Sequence, residues 1–389
     1  MTRCTSLLLA ASLGLVVAAC STGSEQVAFV ETLGNDTVSV ETYSRTVDGF
    51  EGKLLIRSPV TQVAHYNATL APDGNISAMH VEWTTPPENP DGHPPVTFDV
   101  AIEGDSAMVE VTGGPDTSSV RIAVPEGTIP TAGKTPMSFA VLEQAVRQAV
   151  AAGGDEYPVH FIAPARGRIQ PNAIQRVDED VISFDFFGSP FFARITPEGE
   201  ILHRSGEHTT MKVVGQRADD IDFAALAADY AARDARGEGM GPASPQATVQ
   251  VEVGGANLEV VYSRPAKRGR EIWGGLVPWE EVWRTGANAA TSFTTDRDLV
   301  IGGAAVPAGS YTLWSVFTGE SAQLIVNKQT GQWGTQYDAE QDLVRIDLEK
   351  QDLPHPVERF TIGIESTDDG AMLGLTWDTV RYLVPIEVR

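Results

Sequence analysis

Thiols are nearly absent: the 389 residues contain 2 Cys, Cys4 and Cys20, which leaves everything after residue 20 without one. No disulfide framework is available there, so stability has to come from core burial. A composition of 42% apolar residues over this length permits that, with room for two domains. Cations are also scarce, at 28 Lys and Arg against 52 Asp and Glu, for a net charge of −24. A chain with no basic stripe cannot release counterions from a phosphate backbone, which excludes nucleic acid as a partner. Beyond the first twenty residues no apolar run is long enough to span a bilayer.

Catalytic signatures are missing as well. There is no Gly-x-Ser-x-Gly elbow, no phosphate-binding Walker loop, no His-Glu-x-x-His pair and no candidate Cys nucleophile. The 7 His are scattered, and only His203 and His208 lie close together, which does not make a metal site. Adjacent carboxylates such as Glu280-Glu281 and Asp368-Asp369 point apart and do not face each other across a bond. No catalytic residue, metal or cofactor is expected.

What is present begins at the N-terminus. Arg3, an apolar run from Leu7 to Ala19 and the tetrapeptide Val17-Ala18-Ala19-Cys20 have the layout of a secretory signal. Its closing Cys makes residues 1–19 resemble a bacterial lipoprotein signal peptide, with Cys20 lipidated as the mature N-terminus. That resemblance implies a cell-envelope protein whose membrane partner is engaged through acyl chains on Cys20, palmitate among them. Each buried methylene adds about 0.8 kcal/mol, so several chains would anchor it durably. Ser21 in place of Asp resembles the outer-membrane class, on the periplasmic face, if the host has two membranes.

Residues 20–232 read as a β-rich domain. Thr37–Arg45, Gly52–Ile56, Gln62–Leu70, Ile76–Trp83, Val96–Glu103, Ala107–Val111 and Val120–Val124 alternate or are β-branched. Asp73-Gly74, Glu103-Gly104-Asp105 and Pro197-Glu198-Gly199 supply turns. Phe139–Ala151 has helical spacing, and strands resume at Val159–Ile162, Val181–Phe187, Phe191–Thr196 and Glu200–His203. A second helix is predicted over Ile221–Arg233, capped by Asp219 or Asp220. The fold class is thus mainly β: an antiparallel meander, open to closure as a half-barrel, with one or two helices. This arrangement looks like the half-barrels of periplasmic lipoprotein carriers, which would make the domain a lipid or hydrophobe carrier. Phe184, Phe186, Phe187, Phe191 and Phe192 either line such a cavity or pack the sheet.

The segment 233–246, RDARGEGMGPASPQ, reads as a linker. Residues 247–389 then give eight or nine strands, suggesting an antiparallel β-sandwich. This half carries SRPAKRGREIWGGLVPWEEVWRTGANAATSF from Ser263, IGGAAVPAGSYTLW from Ile301, NKQTGQWGTQYD from Asn327, PVERFTIGIE from Pro356 and LTWDTVRYLVPIEV from Leu375. The ordered series, from about Thr248 to Val388, resembles the bacterial domain of unknown function two-nine-one-one. Trp279 stands where Tyr is expected in many relatives. The resemblance implies a domain identity and no activity.

Six of the seven Trp lie in this half. Each has two readings, a platform for a sugar ring or part of the core, and Trp279 and Trp283 are the best placed for exposure. Arg264 and Arg270, within a loop of four cations, either bind a carboxylate or phosphate or neutralise nearby acid. Arg284 and Asn288 sit beside Gly286, where a ligand could approach the backbone; Asn288 could equally hold a tight loop. With Lys328, Trp333 and Tyr337 they form the candidate set for a small-molecule or glycan ligand. The leading expectation is a lipid-anchored, non-enzymatic binding module. The alternatives are a hydrolase of envelope material and the carrier.

Overall fold

The computed structural model describes residues 26–114, 117–133, 138–163, 167–185, 189–209 and 211–389. The residues read as a signal peptide and Cys20, together with Phe186 and Phe187, lie outside the described residues. None of the described helices is long and apolar enough to cross a membrane.

Short strands joined by turns tend to pair with their sequence neighbours, and the first domain carries that tendency almost to its limit. Fifteen strands form one sheet with meander order, antiparallel throughout except where Thr128–Pro130 pairs parallel with Glu156–Ala163. The order departs from the chain once, where Gln26–Leu33 pairs with Val213–Arg217 and joins the two halves. The sheet does not close into a barrel: Ser118–Ala123 and Thr128–Pro130 are its ends.

Helix α1 (Phe139–Ala152) occupies the concave face, and its first eight residues are all buried. Phe139, Leu142, Ala145 and Val146 share one core with Phe29, Tyr43, Tyr66 and Trp83 from one half of the sheet. Ile174, Phe184, Phe191 and Ile201 join it from the other half. Phe184 and Phe191 therefore pack the sheet against the helix. The Phe139 ring stacks on Phe29 at 4.0 Å, and a Cβ on Gly215 would stand 2.3 Å from that ring. Glycine at 215 is what lets the helix sit this deep.

Polar groups fix how α1 enters. The fully buried Glu41 carboxylate accepts from the Phe139 and Ala140 amides at 2.6 and 3.2 Å. It also accepts from Ser138 Oγ at 2.8 Å and Tyr66 Oη at 2.6 Å. Free amides at a helix start attract an anion, and here a strand supplies it from across the core. Burial raises the Glu41 pKa from 4.5, while these four donors pull it back. Arg45 then clasps the side of the helix through Glu143, Gln144 and the Ala140 carbonyl.

Helix α2 (Phe223–Ala235) covers part of the outer face, with Phe223 and Ala227 over Val40, Leu55 and Val63. It begins two residues later than predicted, because Asp222 caps it by accepting from Ala225 N at 3.0 Å; Asp219 and Asp220 do not serve. It also runs past Arg233 into the segment read as linker, and the rest of that segment is docked. Asp234 accepts from Thr61 N at 2.5 Å, and Met240 is buried in the first core.

Ten strands make up the second unit, a sandwich folded from one continuous sheet around a main core, with a smaller cluster at Ala290, Trp314 and Ile325. Two of the strands are long, Asp342–Thr367 and Gly370–Val388. The first passes Pro354 and Pro356 with a shift in register between Asp352 and Val357. Tyr262 Oη accepts from Ile362 N at 2.9 Å, tying the two layers. The units meet where the turn at Gly34-Asn35 touches the basic loop: Asn35 N donates to Arg268 O at 2.9 Å, and Arg268 pairs with Asp36.

Replacing Glu41 by Ala strands up to four buried donors and should cost about 3–5 kcal/mol, read from urea denaturation. Glu41→Gln, which keeps an acceptor, should cost less. A carboxyl with a raised folded pKa stabilises most below its unfolded value and loses that contribution as pH rises. The wild type should therefore gain on Glu41→Gln as pH falls towards 4.5.

Candidate functional site

The WRTGAN and QWGTQYD segments are far apart in sequence and the fold brings them together. Val282–Trp283 pairs with the Gly309–Phe317 strand, so Trp283 points into the core and the chain then turns outward. The turn is tight: Thr285 and Asn288 have φ of 51° and 61°. Thr285 is fully buried, its hydroxyl 2.8 Å from Ser315 Oγ and its carbonyl accepting from Thr291 Oγ1 at 2.7 Å. These bonds make the turn rigid. A short bridge then zips it to the second segment, with Ala290 N donating to Gln332 O at 3.2 Å and Gly334 N to Asn288 O at 3.0 Å.

The result is a ledge holding Arg284, Asn288, Gln332 and Trp333. Trp333 is 51% exposed, unusual for so large an apolar side chain. Arg284 lies half-buried beside it, and the stem runs over Gly334, where a Cβ would stand 2.5 Å from Arg284 Cδ. Its one hydrogen bond among the described residues is a long one, 3.4 Å from Nη1 to Asn288 O, and no carboxylate there pairs with it. Burial lowers the guanidinium pKa from 12.5, yet an arginine stays charged at neutral pH. Gln332 is buried and donates to Thr312 Oγ1 at 3.0 Å, while its Oε1 has no partner among the described residues. A cation short of an anion and an exposed indole thus share one surface, with the unpaired Gln332 Oε1 enclosed behind it.

The other candidates stand elsewhere. Trp283 is enclosed by Phe317, Phe360 and Trp377, with Phe360 at 5.0 Å, so its core reading prevails. Trp279 is 40% exposed but sits by Gly274, away from the ledge residues in the hydrogen-bonded pattern. Tyr337 borders the ledge with its hydroxyl committed: it donates to Asp342 at 2.6 Å and accepts from Arg345 at 2.9 Å. Burial and that carboxylate push its pKa up to about 12. Lys328 is exposed, and its backbone N donates to Gln341 O. Arg264 bonds Phe360 O and Thr361 Oγ1, and Arg270 bonds the carbonyls of Lys267 and Ala266. Burial and the neighbouring Arg268 push the Arg270 pKa down to about 10. The basic loop is thus largely spent on holding its own shape and on the contact with Asp36.

Two residues of the first domain escaped the sequence reading. His65 and His80 stand on adjacent strands of the outer face, and His80 Nδ1 lies 2.6 Å from Asp99 Oδ1. Only strand register could have linked them, since fifteen residues of chain separate the two.

The second unit has the architecture of an antiparallel β-sandwich with a rigid two-loop ledge at its surface. Residues 244–386 match the model of a family described as Protein of unknown function (DUF2911), so the resemblance read from the motif series holds across that unit. No curated protein matches the chain. Among solved structures, the chain is similar to a beta-barrel-like protein of domain of unknown function DUF1849 from Brucella abortus. That pair shares 12% identity with a TM-score of 0.34, over 51% of this chain and 97% of the other. A DUF1089 family protein from Pseudomonas aeruginosa gives 13% identity and a TM-score of 0.32, over 44% of this chain and 90% of that one.

Removing Trp283 should cost about 3–5 kcal/mol, because a large core ring leaves a cavity. Arg284→Ala, with no ion pair to break, should cost under about 1 kcal/mol. Urea midpoints compare them directly; equal losses would mean that Arg284 holds the two loops together and is not free for a ligand.

Proposed function

We propose that this is a lipid-anchored envelope protein whose sandwich domain binds a small carboxylate-bearing ligand, such as an acidic sugar, without chemical turnover. The observation that carries the reading is the half-buried Arg284 with no carboxylate partner among the described residues, next to the exposed Trp333. The guanidinium fork is shaped for a carboxylate, and an indole face suits the apolar side of a sugar ring. Carriage of a hydrophobe by the first domain finds less support, since α1 fills the concave face.

Calorimetric titration with glucuronate and glucose tests the ledge. Glucuronate should bind the wild-type protein and glucose should bind far more weakly. Arg284→Ala should abolish glucuronate binding while leaving the melting temperature nearly unchanged, and Trp333→Ala should weaken it by about tenfold. Equal binding of the two sugars, or binding untouched by Arg284→Ala, would remove the ledge as the site.

The anchor has its own test. Cys20→Ser should shift the protein from the membrane to the soluble fraction after a high-salt wash. Retention of the mutant on membranes would overturn the anchoring through Cys20.

A further inference from the structure

The outer face of the first sheet changes character in a single step along its strands. One row, Val30, Val40, Leu55 and Val63, is apolar and lies under α2. The next two rows are polar and uncovered by any described segment, and they line a groove of about 370 Å³. Register builds each row. Lys53 stands opposite His65, and His65 opposite Glu82. In the following row Glu51 stands opposite Asn67, and Asn67 opposite His80. His80 is held by Asp99 through Nδ1, which leaves Nε2 as its free ring nitrogen.

A groove of this size falls within the range of small-ligand sites. Its chemistry selects the ligand class. An anion would meet Glu51 and Glu82 on a chain of net charge −24. An apolar ligand would find little apolar lining to bury against, since Tyr43 and Tyr66 belong to the core. The His and carboxylates do not converge as metal ligands: no group of three that could hold an ion exists among the described residues. What remains is a ligand whose groups both donate and accept. Carboxylates offer acceptors, Lys53 offers donors, and the Asn67 amide offers both. They repeat about 4.8 Å apart from strand to strand, near the width of a sugar ring.

We propose that this groove, on the outer face beside α2, is a second ligand site that takes a neutral saccharide. It is independent of the Arg284 ledge, and its residues reach the ligand by hydrogen bonds alone.

Titration of the full chain with cellobiose, maltose and chitobiose, followed through the imidazole signals of His65 and His80, tests it. At least one of the three should shift both signals. The exposed Asn67→Ala and Glu51→Gln substitutions should each weaken that binding by about tenfold, at unchanged melting temperature. Arg284→Ala should leave it intact, which separates this site from the ledge. The proposal is overturned if none of the three moves either imidazole, if Asn67→Ala and Glu51→Gln both bind as the wild type does, or if glucuronate binds the groove more tightly than the neutral sugars.

Discussion

An open antiparallel sheet with an apolar concave face cannot stand in water unless something fills it, and here the filling is a single helix held at its tip by one carboxylate. Glu41 bonds the first turn of α1 directly, and both of its oxygens are used. Around this contact the apolar surface of both halves of the sheet closes on Phe139, Leu142 and Val146. The arrangement solves two problems with the same atoms. The helix amides gain an acceptor, and the carboxylate gains donors in a place where it would otherwise be costly to bury. Arg204 adds a second polar constraint, pairing with Glu31 at 2.5 Å while its guanidinium lies 3.9 Å over the Phe139 ring.

The sandwich is organised differently. Its rigidity comes from strands long enough to serve both layers and from short hydroxyl-bearing side chains that fasten the turns beneath the ledge. Thr285, Thr291, Thr312 and Ser315 are all buried. They supply the bonds that let residues with left-handed backbone stay where they are. A ligand meeting this surface would find it already shaped, which lowers the ordering cost of binding.

Much of this was legible in the chain. Gln62–Leu70 and Val96–Glu103 coincide with the strands read from alternation. The first helix differs by one residue at its C-terminal end, because its apolar spacing is regular and Ser138 caps it. Other strands left weaker signals. Arg168–Asp178 contains a proline and several polar residues, as expected only where one face is wet. Val213–Arg217 is five residues long and holds the glycine that admits Phe139. The ledge was half legible. WRTGAN and QWGTQYD stood out by composition, but nothing in sequence spacing says that Ala289 bridges Trp333. The polar groove was not legible at all, because Asn67 and His80 become neighbours only through register.

One pairing shapes the order in which such a chain can mature. Phe29 lies opposite Arg217, although every other neighbouring pair of strands in the sheet is nearly local. The Gln26–Leu33 strand must therefore wait for its second partner until almost the whole domain has been made and threaded past α1. During that interval it offers an unprotected edge to any other chain. Assembly of this domain is thus a race between one late intramolecular closure and strand exchange between molecules. Crowded synthesis would tilt that race towards the second outcome, and a chaperone that covers the waiting edge would tilt it back.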